Sequence, residues 1–175
     1  GNDGIEYMLQ ATEGLPVDVQ FMLPSCVPAT PLDEAGSRLD YRAIDSFYDH
    51  PRVQGLAEMM NFVGVIAGDE QVVEKIVAAQ AHHKKIDGHA PDLLGNDLNA
   101  YIAAGVYSDH ECHDLQDAIS KIERGQYIMI REGTAACNLE ALMPLLCEQY
   151  ADRCMFCTDD KHPNDLLEKD IWIIL

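Results

Sequence analysis

Four runs of apolar, β-prone residues end on groups able to ligate a metal. Glu58 closes Gly55-Leu56-Ala57-Glu58, His89 closes Ile86-Asp87-Gly88-His89, His110 lies in Tyr107-Ser108-Asp109-His110-Glu111, and Asp159 follows Cys157-Thr158. Two neutral imidazoles with hard carboxylates make a donor set suited to Zn²⁺, Fe²⁺ or Mn²⁺. A lone strand-end histidine is more often a hydrogen-bonded structural residue than a ligand. The recurrence at four equivalent points is what suggests chemistry. Glu58 adds its own argument, since it follows the small residues Gly55 and Ala57 in a run fit for burial. A buried carboxylate needs a partner that compensates its desolvation, and a metal ion would be one. His50, His82, His83 and His113 fall in polar helical or loop contexts and are given no function.

Such groups face one another only if the runs that carry them are parallel strands around a common axis, where the carboxyl-end loops converge. The chain reads that way. Strands are predicted over 17–23, 53–60, 84–88, 105–108, 126–130 and 153–158, and apolar residues at three-and-four spacing predict helices over 5–11, 41–48, 72–81, 98–104, 115–122 and 139–150. Asp69, Asn96-Asp97 and Asp114 mark helix starts, and Gly105 and Gly125 follow helix ends. Short helices joining successive strands mean parallel βα units. Pro24, Pro28 and Pro31 are expected to exclude any ladder after the first strand, leaving a loop at its carboxyl end.

The 175 residues are 47% hydrophobic, which fits a single globular domain over 1–175 and argues against disorder. With 12 Lys and Arg against 30 Asp and Glu, the net charge of −18 argues against a nucleic-acid backbone or an anionic membrane as partner. No window reaches the roughly 20 apolar residues of a membrane span, and Gly1-Asn2-Asp3-Gly4 is unlike a signal peptide. Six cysteines without framework spacing suit a reducing, cytoplasmic setting. Cys154 and Cys157 form a C-x-x-C, but inside a strand a spacing of three sends the side chains to opposite faces, which disfavours a redox or zinc pair.

The chain resembles the adenine deaminase family of the metal-dependent amidohydrolases. The resemblance is carried by Leu23-Pro24-Ser25-Cys26-Val27-Pro28-Ala29, Gly55-Leu56-Ala57-Glu58-Met59-Met60 and Asp87-Gly88-His89-Ala90-Pro91. It continues through Leu98-Asn99-Ala100-Tyr101, Asp109-His110-Glu111, Met129-Ile130-Arg131-Glu132-Gly133 and Cys157-Thr158-Asp159-Asp160-Lys161-His162-Pro163, and fades over 170–175. It implies an α/β fold, an incomplete (β/α)8 TIM barrel of about six βα units similar to strands three to eight, and a step of purine salvage on adenine. Glu58 then looks like a carboxylate bridging two metals, His89 and His110 like ligands from the fifth and sixth strands, and Asp159 like the eighth-strand acid and proton carrier. Asp160 stands beside it as a second proton-transfer group. Ser25, Arg131 and Glu132 resemble segments near the substrate pocket.

The family's His-x-His pair and its Pro-His-Glu segment have no counterpart among these residues. Two readings follow: part of a metal-dependent adenine deaminase that needs ligands from elsewhere, or a metal-binding or structural remnant without turnover. The metal implied is Mn, Fe or Zn, and the isolated chain can lack it. Open strand edges predict a homo-oligomer or an open sheet. Adenine turnover by this chain alone is expected to stay below roughly 1 per second, and a steady-state ammonia assay checks it.

Overall fold

The computed structural model describes residues 1–30 and 32–168. Pro31, the last proline of the expected loop, and the final segment where the resemblance fades lie outside the described residues. In chain order the elements are α1 (Asn2–Ala11), β1 (Phe21–Pro24), α2 (Tyr41–Asp45), β2 (Val53–Met59), α3 (Phe62–Ala67), α4 (Glu70–Ala81), β3 (Lys85–Gly88) and α5 (Gly95–Ala103). They continue as β4 (Ser108–Asp109), α6 (Leu115–Ile122), β5 (Tyr127–Arg131), α7 (Leu139–Leu142), β6 (Cys154–Cys157) and α8 (Pro163–Glu168). The chain divides into two compact units, Gly1–His89 with Asn99–Tyr107, and Ala90–Leu98 with the residues from Ser108 onward.

In the first unit β1 pairs with β2 and β2 with β3, all parallel. In the second β4 pairs with β5 and β5 with β6, again parallel. The expected alternation of parallel strands and helices holds, and strands taken in chain order are the topology of a (β/α) barrel. Each unit has its own apolar packing. Leu23, Leu56, Met59 and Ile86 from the first three strands are buried, as are Ile44, Ile76 and Ala79 from α2 and α4. In the second, Ile128 and Ile130 of β5 pack with Cys112, Ala118, Ile122, Leu142 and Leu145. Full burial of a Leu or Ile side chain is worth about 1.5–3 kcal/mol, so these strand residues determine which face is turned inward.

Helix starts follow the expected side-chain chemistry. Asp69 accepts from the Gln71 and Val72 N–H groups and Asp114 from Asp117 N–H, each satisfying donors that the first turn leaves open. Gly105 and Gly125 both take φ of 98°, a left-handed conformation that glycine adopts without penalty.

Several boundaries differ from expectation, each for a local reason. Residues 17–20 are not strand, and β1 starts at Phe21 and includes Pro24, whose missing N–H is tolerated at a strand's end. The helix expected over 139–150 stops at Leu142 and gives way to a 3₁₀ turn at Met143–Leu145, because Pro144 cannot donate to a continuing helix. β4 is only two residues long, although Tyr107 N–H still bonds Ile86 O at 2.8 Å. The helix expected over 98–104 begins three residues earlier, at Gly95. α3 and α8, six residues each, are too short to leave a helical period in the sequence.

Gly55 sits in β2 between β1 and β3, and a Cβ there would strike the Lys85 carbonyl and the Met22 methyl. Backbone cannot step aside as a side-chain tip can. Gly55→Ala is therefore expected to lower stability by about 1–3 kcal/mol in urea unfolding.

Candidate metal centre

In the first unit Glu58 and His89 come from the carboxyl ends of neighbouring strands. Glu58 lies where the β2–β3 register shifts between Leu56 and Met59, an irregularity of the kind that re-aims a side chain. Glu58 Oε2 and His89 Nδ1 stand 3.0 Å apart. The backbone around them is held by two hydroxyls. Ser25 Oγ donates to Glu58 O at 2.6 Å, and Tyr101 Oη accepts from His89 N–H at 3.0 Å while donating to Met59 O at 2.8 Å. Tyr101 is fully buried and was not singled out by sequence reasoning; an aromatic on an amphipathic helix looks the same whether its hydroxyl is used or not.

One expectation about this pair is corrected. Glu58 is not buried, with 41% of its side chain exposed, although Met59 beside it in the strand is fully buried. Desolvation therefore does not require a metal there, and the case rests on the contact with His89. Ser25 is buried, and its carbonyl accepts from Lys75 Nζ at 2.6 Å. Burial holds the Lys75 ammonium below the ordinary lysine pKa. A cleft of about 530 Å³ opens beside Ser25, lined by Cys26, Arg38, Asp40, Asn61 and Lys75 among others, but neither Glu58 nor His89 lines it.

In the second unit His110, Glu111 and Asp159 each offer a ligand atom, all within 4.8 Å of one another. His110 and Glu111 follow β4, and Asp159 lies two residues past β6 with φ of 40°, a left-handed conformation that Asp tolerates better than most residues. Arg131, the last residue of β5, ties the carboxylates together. Its NH1 donates to Glu111 Oε1 and, at 2.8 Å, to Asp159 Oδ2, its NH2 donates to Glu111 Oε2 at 3.2 Å, and its Nε donates to Asn138 Oδ1 at 3.3 Å. Burial works against the guanidinium charge, yet its hydrogen bonds to Glu111 and Asp159 outweigh it and raise its pKa above the ordinary arginine value. Glu111 was given no role from sequence; its position directly after His110 was the available signal.

Asp160 and Glu132 serve backbone groups nearby. Asp160 accepts from Thr134 N–H at 3.1 Å and Ala135 N–H at 3.0 Å, and Glu132 Oε2 accepts from Leu139 N–H at 3.3 Å, at the start of α7. A Cβ on Gly133 would collide with Asp160 Oδ1, so glycine is what lets the carboxylate reach this turn. The strand cysteines act separately: Cys154 Sγ meets Tyr150 O at 3.4 Å and Cys157 Sγ meets Met129 O at 3.8 Å.

Imidazole with carboxylate oxygens is a set that divalent transition metals accept, and both groups fit that requirement. The chain matches the model of the Amidohydrolase family over residues 1–170. It is 54% identical over 169 residues to a protein of Desulfatibacillum aliphaticivorans named adenine deaminase, covering 97% of this chain and 30% of that protein. It is 48% identical over 170 residues to the adenine deaminase of Kosmotoga olearia, covering 97% and 30%, and 49% identical over 167 residues to that of Nitratidesulfovibrio vulgaris, covering 95% and 29%. The chain thus spans about 30% of the length of these relatives. Among the described residues no helix is long and apolar enough to cross a membrane.

The backbone hydrogen bonds from Ala135 and Thr134 favour ionised Asp160 and hold its carboxyl below the usual carboxylate pKa. A depressed folded-state pKa gives stability that is present above the unfolded value and lost as pH falls through the folded one. Carbon-detected NMR titration should place the Asp160 midpoint below about 3.9, with the Thr134 and Ala135 amide shifts moving at the same pH. A midpoint at or above that value would contradict the assignment.

Proposed function

From the premise that this chain belongs to the amidohydrolase family, we propose that it is part of a metal-dependent adenine deaminase, converting adenine and water to hypoxanthine and ammonia. The observation that carries this reading is the 3.0 Å approach of Glu58 to His89 at the ends of adjacent parallel strands, in a chain about half identical to proteins named for that activity. Because those relatives are about three times longer, the reaction is assigned to the protein of which these residues are a part. The reading as a structural remnant without turnover is not favoured by relatives named as enzymes.

Glu58 with His89, and His110 with Asp159, are the residues that would hold Mn, Fe or Zn. When bound, such a metal would lower the pKa of its water towards about 7 and so supply a nucleophile able to attack an aromatic carbon. The protein's own part is to place and move protons. Asp159 is the carboxylate that would accept the nucleophile's proton and return it to the ring nitrogen or the departing ammonia. Arg131 holds the Asp159 oxygen in a charge-assisted bond at 2.8 Å, which fixes the direction of that carboxylate. Asp160, fixed on two backbone N–H groups, would orient the turn beside Asp159 and serve as a second proton-transfer group. Ser25 in the first unit, and Arg131 with Glu132 in the second, are each proposed as substrate-binding residues. The substrate is a small neutral base, and a chain of net charge −18 has no use for a polyanionic partner. A cytoplasmic homo-oligomer completes the reading.

Metal analysis and ammonia release from adenine, run on the unmodified protein and on Glu58→Gln, test this. The substitution is expected to remove bound metal and to lower turnover by at least about a hundredfold, since a ligand and its orientation are lost together. Full adenine turnover by a metal-free Glu58→Gln protein would overturn the proposal.

A further inference from the structure

The second unit buries a lysine completely. Lys121, on α6, lies 3.1 Å from Asp117 Oδ2 one helical turn away and 3.4 Å from Asp109 Oδ2, and its Nζ donates to Ala90 O at 2.7 Å. Asp109, the last residue of β4, has no exposed side-chain surface either. Its Oδ2 accepts from Ala90 N–H at 2.9 Å and its Oδ1 from Glu111 N–H at 2.8 Å. Lysine and aspartate together therefore take both backbone groups of Ala90 and the amide of Glu111.

A buried ion pair is a weak source of net stability, because desolvating the two charges offsets most of their attraction. Apolar residues of similar volume would stabilise this interior about as well. What they would not supply is geometry. Ala90 follows His89 in the chain, and Glu111 follows His110, so one carboxylate holds the backbone immediately beyond each imidazole. Asp117 is the dispensable partner: its Oδ1 is buried without a hydrogen bond, and it touches neither Ala90 nor Glu111 through any bond in this network.

We propose that Lys121 is a positioning residue, which through Asp109 fixes the backbone at Ala90 and Glu111, the residues that directly follow His89 and His110 in the chain. The assignment rests on the metal reading above. It treats the Lys121–Asp109 arm as functional and the Lys121–Asp117 arm as charge compensation.

Native-state amide exchange on the full chain tests it without metal. In the unmodified protein the Ala90 and Glu111 amides share one acceptor side chain and are expected to open together, with protection factors within about threefold of each other. Factors that differ by more than about tenfold would overturn the shared clamp. Lys121→Met is expected to lower both by at least about tenfold and Asp117→Asn to leave both within about threefold. Should Lys121→Met not fold, Asp109→Asn takes its place with the same expected outcome; equal effects of Asp109→Asn and Asp117→Asn would count against the proposal.

Zn²⁺ titration of the same proteins supplies the second readout. Affinity is expected to fall roughly 10–100-fold in Lys121→Met and to stay at the unmodified value in Asp117→Asn, as for residues that orient ligands without touching metal. Unchanged affinity in a folded Lys121→Met protein would overturn the positioning role. An unmodified chain that takes up no Zn²⁺ is what its partial ligand set allows, and the exchange result then decides the role of Lys121 alone.

Discussion

Parallel pairing is the constraint on which the rest depends. Strands that run the same way need a crossover between each pair, so every strand's carboxyl end in a unit opens onto the same side and every loop there can carry a polar group. Glu58 and His89 follow from this in the first unit, and His110, Glu111, Arg131 and Asp159 in the second. None of these residues is near another in sequence except His110 and Glu111. Their meeting within each unit comes from strand direction alone.

Placing so many charges at strand ends creates a problem of compensation, and the protein solves it with cations of two kinds. Arg131 reaches two carboxylates with a planar fork, which fixes their separation as well as their charge. Lys121 is a compact point charge packed where no water reaches, between Asp109 and Asp117. A chain with only 12 Lys and Arg against 30 acids commits two of its cations to these sites. The surface keeps the acidic excess, where solvent screens it.

The alternation of strand and helix was readable because burial at alternate strand positions and at helical spacing is a local pattern. Asp69, Asp114, Gly105 and Gly125 were readable for the same reason, since a cap or a left-handed turn needs a particular residue at a particular place. Where the reading failed, the signal was short or masked. α3 and α8 have under two turns, Pro24 looked like a breaker though a strand end tolerates it, and Pro144 lay inside a helical period that it then ended.

The sequence by itself determined the alternating parallel class, the acidic surface and the positions of Glu58, His89, His110 and Asp159 at strand ends. Each of these is a property of residue type and near spacing. Only the tertiary structure decided that Glu58 is open to solvent, that Arg131 binds Glu111 and Asp159, and that Tyr101 and Lys121 hold backbone next to the histidines. Those facts join residues from 12 to 31 positions apart, as for Tyr101 with His89 and Lys121 with Ala90. A hydroxyl or an ammonium on a helix carries no mark of its distant acceptor, because the bond is made by packing rather than by the chain.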